Sequence, residues 1–424
     1  MKAVRQVVEI TFKNEKFIGY LNFDEGEKYL EFLVATLENQ DELLNWDSLK
    51  TFNCTLHNGK VISCFKCKLV NTKNYNLVRY NIKIYAEDNI ERYDELKFNN
   101  ITAIFPKVDS WFVGSEFSYN SSLEYKGQKL DLIISDGETQ KRDSNIKVLE
   151  KYLRVQLKSN VEMNLDLVNE IYFKMSVIFS FLIDKYVSYT HYIVNHEGQY
   201  LYKIYQSNQN QTNEVNVSKM NYCIDKEMNE TEFYNILVAP LTFLNFDIWF
   251  NYVGVLRTKP LMEERYLTYA RCLEMISKEN VNTDIYEEKE RKRKSKIYKQ
   301  LIKDMDLDEN YKANLIEAFK FGNRKGFKVL LLQLIQNSSF KGQVEMLAEE
   351  VDIKELVSNI VDIRNHLTHG SPFEEIDKQS LSFYTELIKK MVTYFILQKH
   401  TIDKPLNIAY LNRKSSELPN PFIK

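Results

Sequence analysis

Glycine is scarce in this chain, with 12 in 424 residues. No Gly-rich phosphate loop occurs, which makes a nucleoside-triphosphate fold improbable, because such folds bring backbone amides against phosphates at glycines. Five cysteines (Cys54, Cys64, Cys67, Cys223, Cys272) are too few and too scattered for a secreted disulfide scaffold and fit a reducing compartment. Net charge is nearly absent too: it is −2, with a pI near 6.4, so the molecule as a whole has no diffuse attraction for nucleic acid and a polyanion would need a local basic patch. The longest apolar-rich stretch, 171–186, is interrupted by Lys174 and closed by Asp184 and Lys185, too short and polar to span a bilayer. The first twelve residues carry Lys2, Arg5 and Glu9 and lack the apolar core of a signal peptide. Neither His-Glu-x-x-His nor Gly-x-Ser-x-Gly is present. We expect a soluble cytoplasmic protein with no membrane partner and no cofactor.

Apolar material is plentiful. Hydrophobic residues make up 44 %, with 27 Tyr and 25 Phe, enough for the two or three domains that this length suggests. Up to about residue 142 the chain alternates with period two: Val78, Tyr80, Ile82 and Ile84 share one face, and Arg79, Asn81 and Lys83 the other. Short runs of this kind, separated by Asn, Gly and Asp turn signals, predict an antiparallel sandwich or barrel. From 143 to 258 the pattern is mixed: an alternating run at 148–157, a helical one at 165–186, a hairpin over 189–205 turning at His196-Glu197-Gly198, and a polar surface loop at 207–218. His191 and His196 flank that hairpin and read as surface residues. Beyond it helical periodicity dominates, at 261–278, 286–305, 308–321, 325–336, 352–369 and 374–400. The expected fold class is therefore α+β and multidomain: a β-rich N-terminal region (1–142), a mixed subdomain (143–258), an all-α bundle (259–402) and a tail (403–424).

Cys54-x2-His57 and Cys64-x2-Cys67 place four soft ligands within fourteen residues, which tempts a zinc reading. Asn58-Gly59 as a two-residue turn argues against it. That turn would pair His57 with Lys60 and Cys54 with Ser63, sending Cys54 and Cys67 to one face and His57 and Cys64 to the other. Cys272 falls on an amphipathic helix and reads as core. The run from Glu287 to Lys296 has no apolar residue, so it is exposed; its basic half, Arg291, Lys292, Arg293 and Lys294, is either a solvated helix extension or an RNA-backbone contact.

Two of the six histidines lie in Arg364-Asn365-His366-Leu367-Thr368-His369-Gly370. Arginine stays charged and offers a planar fork to phosphate oxygens, while histidine moves a proton near neutral pH. Ile353, Leu356, Val357 and Ile360 form an apolar helical face, and Arg364, four residues on, emerges at its edge. His369 precedes Gly370 and Pro372, a stop signal that puts the imidazole at the helix C-terminus. The plain alternative pairs Arg364 with a bundle carboxylate such as Asp362 or Glu317 and leaves His369 as a cap.

Arg364, then four residues beginning with Asn365, then His369, on the penultimate long helix of a helical C-terminal domain, resembles the HEPN ribonuclease signature. The β-rich N-terminal region, then Trp249-Phe250 and Arg265-Tyr266-Leu267, then this domain, resembles the ApeA-type antiphage family over nearly the full length. The resemblance implies a metal-independent endoribonuclease assembled across a homodimer, with His369 as general acid or base, Arg364 as phosphate stabiliser and Asn365 as orienting group. It leaves open the role of His366, which could touch RNA, and which RNA is cut, transfer RNA among the candidates. A conditional activity in abortive infection, triggered by an unidentified phage component, is the implied biology; a non-catalytic dimerisation or RNA-binding module is the rival.

Overall fold

Alternation at Val78, Tyr80, Ile82 and Ile84 buries all four side chains and leaves Lys83 exposed. The computed structural model describes residues 5–23, 28–34, 37–73, 77–88, 90, 93, 96–106, 112–113, 118–143, 146–196, 199–206, 224–225, 230–242, 246–319, 322–339, 352–369 and 376–400. The expected loop at 207–218, Cys223, the stop signal Gly370 and Pro372, the side chain of His196 and the tail 403–424 lie outside the described residues. Two compact units result, Met1–Phe246 and Asp247–Lys424.

The first unit is built on strands β1 (Arg5–Phe12), β2 (Glu15–Phe23), β3 (Lys28–Leu33), β4 (Lys50–Thr55), β5 (Val61–Lys73), β6 (Leu77–Asn81), β7 (Ile84–Ala86), β8 (Lys97–Pro106), β9 (Phe112–Val113), β10 (Ser118–Tyr125), β11 (Gln128–Asp143), β12 (Ile146–Asn164), β13 (His191–His196), β14 (Gln199–Gln206) and β15 (Ile224–Asp225). Strands β5-β4-β1-β2-β3-β6 are all antiparallel neighbours, and β6 returns to β5, so six strands close into a barrel. Closure removes the exposed edges an open sheet would present. The run read as one strand from Val78 to Ile84 is interrupted after Asn81, and the break has a purpose. β6 pairs β3 and the second half of β5, whereas β7 pairs the first half of β5 and β14, so one stretch of chain serves two sheets. From β7 the sheet continues as β14-β13-β8-β12-β11-β10.

Inside the barrel, Phe12, Phe32, Phe52 and Tyr80 pack ring on ring; Phe52 meets Tyr80 edge-on at 5.0 Å, and Phe32 lies parallel to it at 5.8 Å. The short helix α1 (Gln40–Leu43) brings fully buried Leu43 to this core, and the Tyr80 hydroxyl donates to the Leu43 carbonyl, which satisfies a phenol otherwise stranded among apolar groups. Helix α2 (Leu165–Ile183) is the apolar stretch judged too short to span a bilayer. It starts at Asn164, whose side chain accepts the Leu167 N–H, and ends at Asp184 with φ 57°. Buried Tyr172 fastens it to the sheet by donating to the carbonyls of Ile101 and Val155. No single helix among the described residues is long and apolar enough to cross a membrane.

Three expectations are corrected here. Leu56 N–H donates to the Lys60 carbonyl and Cys54 faces Ile62, so the β4–β5 loop has three residues with Gly59 at φ 78°, not the two assumed. The register therefore slips by one. Together with Lys66 at φ 51° inside β5, this puts Cys54, Cys64 and Cys67 all in the barrel core and leaves His57 exposed. A hydrogen bond with Cys54, then burial, hold the Cys64 thiol protonated. Second, His191 is not a surface residue: it is half-buried, 2.9 Å from the Thr190 hydroxyl and 5.3 Å from the Tyr205 ring. Burial and then the Lys203 charge push its pKa down to about 4. Third, the 142/143 division falls inside β11, which pairs with β12 over thirteen positions, so no boundary separates the two strands.

The second unit begins twelve residues before the expected boundary: after helix α3 (Glu230–Phe233) and the π-helical and 3-10 turns that continue it to Thr242, α4 (Asp247–Thr258) opens the bundle. It continues with α5 (Met262–Asn280), α6 (Glu288–Asp304), α7 (Glu309–Phe319), α8 (Phe327–Gln336), α9 (Ile353–Thr368) and α10 (Lys378–Lys399). Helix α5 is central and packs against α4, α8, α9 and α10. Its buried face, Tyr266, Tyr269, Cys272, Leu273 and Ile276, meets the stripe Leu381, Tyr384, Leu387, Ile388 and Met391 of α10. Cys272 is indeed core, with its thiol 3.7 Å from the Ile248 carbonyl.

Two measurements test this packing. A Cβ at Gly19 would lie 2.4 Å from Ile10 Cδ1 and 2.9 Å from the Glu31 carbonyl, whereas one at Gly254, within α4, meets nothing within 4 Å. Gly19→Ala should cost roughly 1–3 kcal/mol by overpacking, read as a lowered unfolding midpoint in urea, while Gly254→Ala should not lower it. The His191 effect runs with pH. Its folded pKa lies below the ordinary value, so between pH 6.5 and about 4 the unfolded chain binds a proton that the folded chain refuses, and stability is lost as pH falls through that window. His191→Gln should flatten this part of the melting-temperature profile; an unchanged slope would contradict the assignment.

Candidate active site

Helix α9 starts where Asp352 accepts the Lys354 N–H at 2.8 Å. Leu356, Val357, Ile360 and Ile363 turn inward, and helical spacing then leaves Arg364 at the rim, its side chain 34 % exposed. The Tyr266 hydroxyl, fully buried on α5, donates to the Ile360 carbonyl at 2.7 Å, one turn before the arginine. Burial raises the Tyr266 phenol well above its usual range, so it stays a neutral donor. Asn359 donates to the Tyr384 hydroxyl at 2.8 Å, tying the next face of α9 to α10.

Arg364 is held from two sides. One terminal nitrogen donates to Glu274 Oε2 at 3.2 Å and the other to Asn365 Oδ1 at 3.0 Å. The second Glu274 oxygen takes Lys278 at 2.7 Å, so a single half-buried carboxylate is shared by two cations. Asn365 also links the motif's other end: its backbone carbonyl accepts the N–H of His369 at 3.1 Å. The Thr368 hydroxyl donates to the Arg364 carbonyl at 2.6 Å, which closes the last turn. His369 caps the helix with φ −86° and is exposed. His366 is half-buried and lies roughly 200° around the helix from Arg364. Of the residues pointed to by the sequence, the side chains of Arg364 and Asn365 are bonded to each other, His369 shares their helix end through an ordinary backbone bond, and His366 sits on another side.

The carboxylate partner of Arg364 is Glu274, not Asp362 or Glu317. Asp362 is two residues away along α9, on another face, and accepts from Ser358 at 3.0 Å. Nothing in the local sequence marks Glu274 or Tyr266 as neighbours of the motif, because 90 residues separate Glu274 from Arg364. The four basic residues at 291–294 lie on α6. Lys292 pairs with Glu288 at 2.7 Å, Arg293 grips Glu290 with two bonds of 2.9 and 2.7 Å, and Lys294 stands 4.9 Å from the Tyr286 ring centre. Exposed pairs of this kind are weak and exchange readily for phosphate.

Tyr266→Phe removes the buried bond and leaves the ring in place. It should cost about 1 kcal/mol and, if the tether is what holds α9, should raise amide hydrogen exchange around Ile360 to Arg364 more than in α8.

The family models agree with this architecture. ApeA N-terminal domain 1 matches residues 11–236, and Apea-like HEPN matches residues 267–405. Neither a curated protein nor a solved structure matches the chain. HEPN domains are usually nucleases, and the combination suggests an antiphage protein. With a β-rich region matched over more than half of its length and a helical domain that carries the motif, the chain belongs to the ApeA-type HEPN family.

Proposed function

We propose that this protein is a conditional, metal-independent endoribonuclease whose active site is completed by a second copy. The observation that carries the reading is the bonded pair Arg364-Asn365 with exposed His369 at the same end of α9, inside the matched HEPN domain. The chemistry follows from these side chains. A base takes the proton from a ribose 2′-hydroxyl; its oxygen attacks the adjacent phosphorus; the bond to the 5′-oxygen breaks, and an acid protonates that leaving oxygen. The products are a 2′,3′-cyclic phosphate and a free 5′-hydroxyl.

Arg364 meets the charge that builds on the non-bridging oxygens, and Glu274 and Asn365 hold its guanidinium in place beforehand, so little reorganisation is needed at the moment of reaction. Each chain offers one motif histidine. A homodimer in which two α9 ends face each other supplies one His369 as base and the other as acid. Damage to the cell's own RNA calls for restraint, and the N-terminal unit, biased by a phage component, is the part of the chain available for it. We place the protein in the cytoplasm, where its RNA substrate lies.

A second reading has one specific observation in its favour: Arg364 already has a carboxylate partner, as a structural arginine would. In that case the domain is a dimerisation or RNA-binding module. Purified wild-type protein should cleave RNA and spare DNA of the same sequence, in the presence of a chelator. Arg364→Ala and His369→Ala should each lower the rate by about a hundredfold or more with melting temperature and association retained, and Arg364→Lys should not restore it. Cleavage that survives both alanine changes, or full activity in a strictly monomeric species, would overturn the proposal; sequencing the new 5′ ends would identify the RNA.

A further inference from the structure

Between Asp284 and Arg324 the chain makes an excursion from the bundle. Its base is a short antiparallel clasp: Ile285 N–H donates to the Asn323 carbonyl at 2.7 Å, Lys325 N–H to the Thr283 carbonyl at 2.8 Å, and the Asn323 side chain bonds the backbone of Tyr286 in both directions. Above the clasp, α6 packs chiefly on α7 and buries one residue, Ile302. On a different face, Ile297, Leu301 and Met305 follow one another at four-residue spacing and are 48 %, 53 % and 48 % exposed. Scattered apolar residues on a surface need no explanation, but two on one helical stripe, continued by Met305 at the cap, do.

The charges around that stripe are arranged in order. Glu290, Arg293 and Lys294 lie on its side of α6 at the N-terminal end, where Glu290 holds Arg293 and leaves Lys294 as the cation, and Asp304 lies there at the C-terminal end. Lys289, Lys292, Lys296, Lys299 and Lys303 occupy the other side of the helix, all exposed. The stripe therefore has an apolar centre, with Lys294 towards one end and Asp304 at the other. Such a surface is complementary to itself when reversed.

We propose that this face of α6 is a contact between copies of the chain, with α6 of a second copy lying antiparallel across it. About a two-fold axis near residue 299, Ile297 meets Leu301 of the other copy, and Lys294 meets its Asp304, each contact occurring twice. A parallel arrangement would set lysine against lysine and aspartate against aspartate, which costs energy. The helix is about 25 Å long, so one helix pair buries less than the roughly 800 Å² per partner of a standard stable interface. The contact is weak by itself and depends on concentration. It is separate from the α9 motif and does not rest on the nuclease reading.

Sedimentation velocity of the full chain, freed of RNA, tests this over a range of concentrations. Lys294 and Asp304 are ten residues apart on one helix, about 15 Å of rise, so they cannot pair within a chain. Rescue by exchanging their charges can arise only between chains. Wild-type protein should show association that Leu301→Asp, Lys294→Glu and Asp304→Lys each shift to at least about tenfold higher concentration, with the melting temperature retained because these side chains are exposed or at the rim. The double variant Lys294→Glu/Asp304→Lys should recover most of the association. The proposal is overturned if Leu301→Asp sediments as wild type does, if the double variant is no better than the single ones, or if association disappears on removal of RNA, which would make the surface a site for RNA.

Discussion

The buried hydrogen bond from Tyr266 to the Ile360 carbonyl fixes where α9 lies against α5, and the candidate active site follows from that placement. Once Ile360 is held there, helical geometry brings Arg364 to the rim one turn later, within reach of Glu274 and beside Asn365. A phenol is suited to this task. It contributes a large apolar ring to the core and a single neutral donor at its tip, so the tether carries no desolvated charge. Glu274 then supplies from α5 a carboxylate that orients the guanidinium.

The β-rich unit is governed by a comparable economy in strand β5. Its first half belongs to the extended sheet through β7, its second half closes the barrel through β6, and the left-handed Lys66 lies where the two halves meet. A residue with φ of 51° interrupts regular pleating and lets the strand bend without losing its partners on the other side. The same bend turns Cys64 and Cys67 into a single core, where the hydrogen bond with Cys54 and then burial keep the Cys64 thiol protonated and burial does the same for Cys67.

Charge is distributed so that local order matters more than the total. The molecule carries a net charge of −2, yet α6 separates a lysine face from an apolar face within seventeen residues. Whether such a helix meets a polyanion or another copy of itself is decided by which face is considered, and the two faces can be altered independently. Neighbouring carboxylates at Glu288 and Glu290 hold Lys292 and Arg293 in the meantime, and their pKa values are lowered by those hydrogen bonds.

The sequence alone determined the inner faces, and most of the elements, since these depend on periodicity: the alternating burial at 78–84 and the apolar stripe of α10 stand, and each of the six helical stretches after residue 256 holds a helix, although the run at 78–84 is two strands. It also determined the motif, because Arg364, Asn365 and His369 are close along one helix. What required the tertiary structure was anything set by a non-local contact or by a one-residue change of register. Glu274 is 90 positions from its arginine, the three-residue loop at His57-Asn58-Gly59 together with Lys66 brought all three cysteines to one face, and closure of the barrel depends on β6 pairing with β3, much earlier in the chain. Local spacing fixes which side of an element is apolar. Only packing fixes what that side meets.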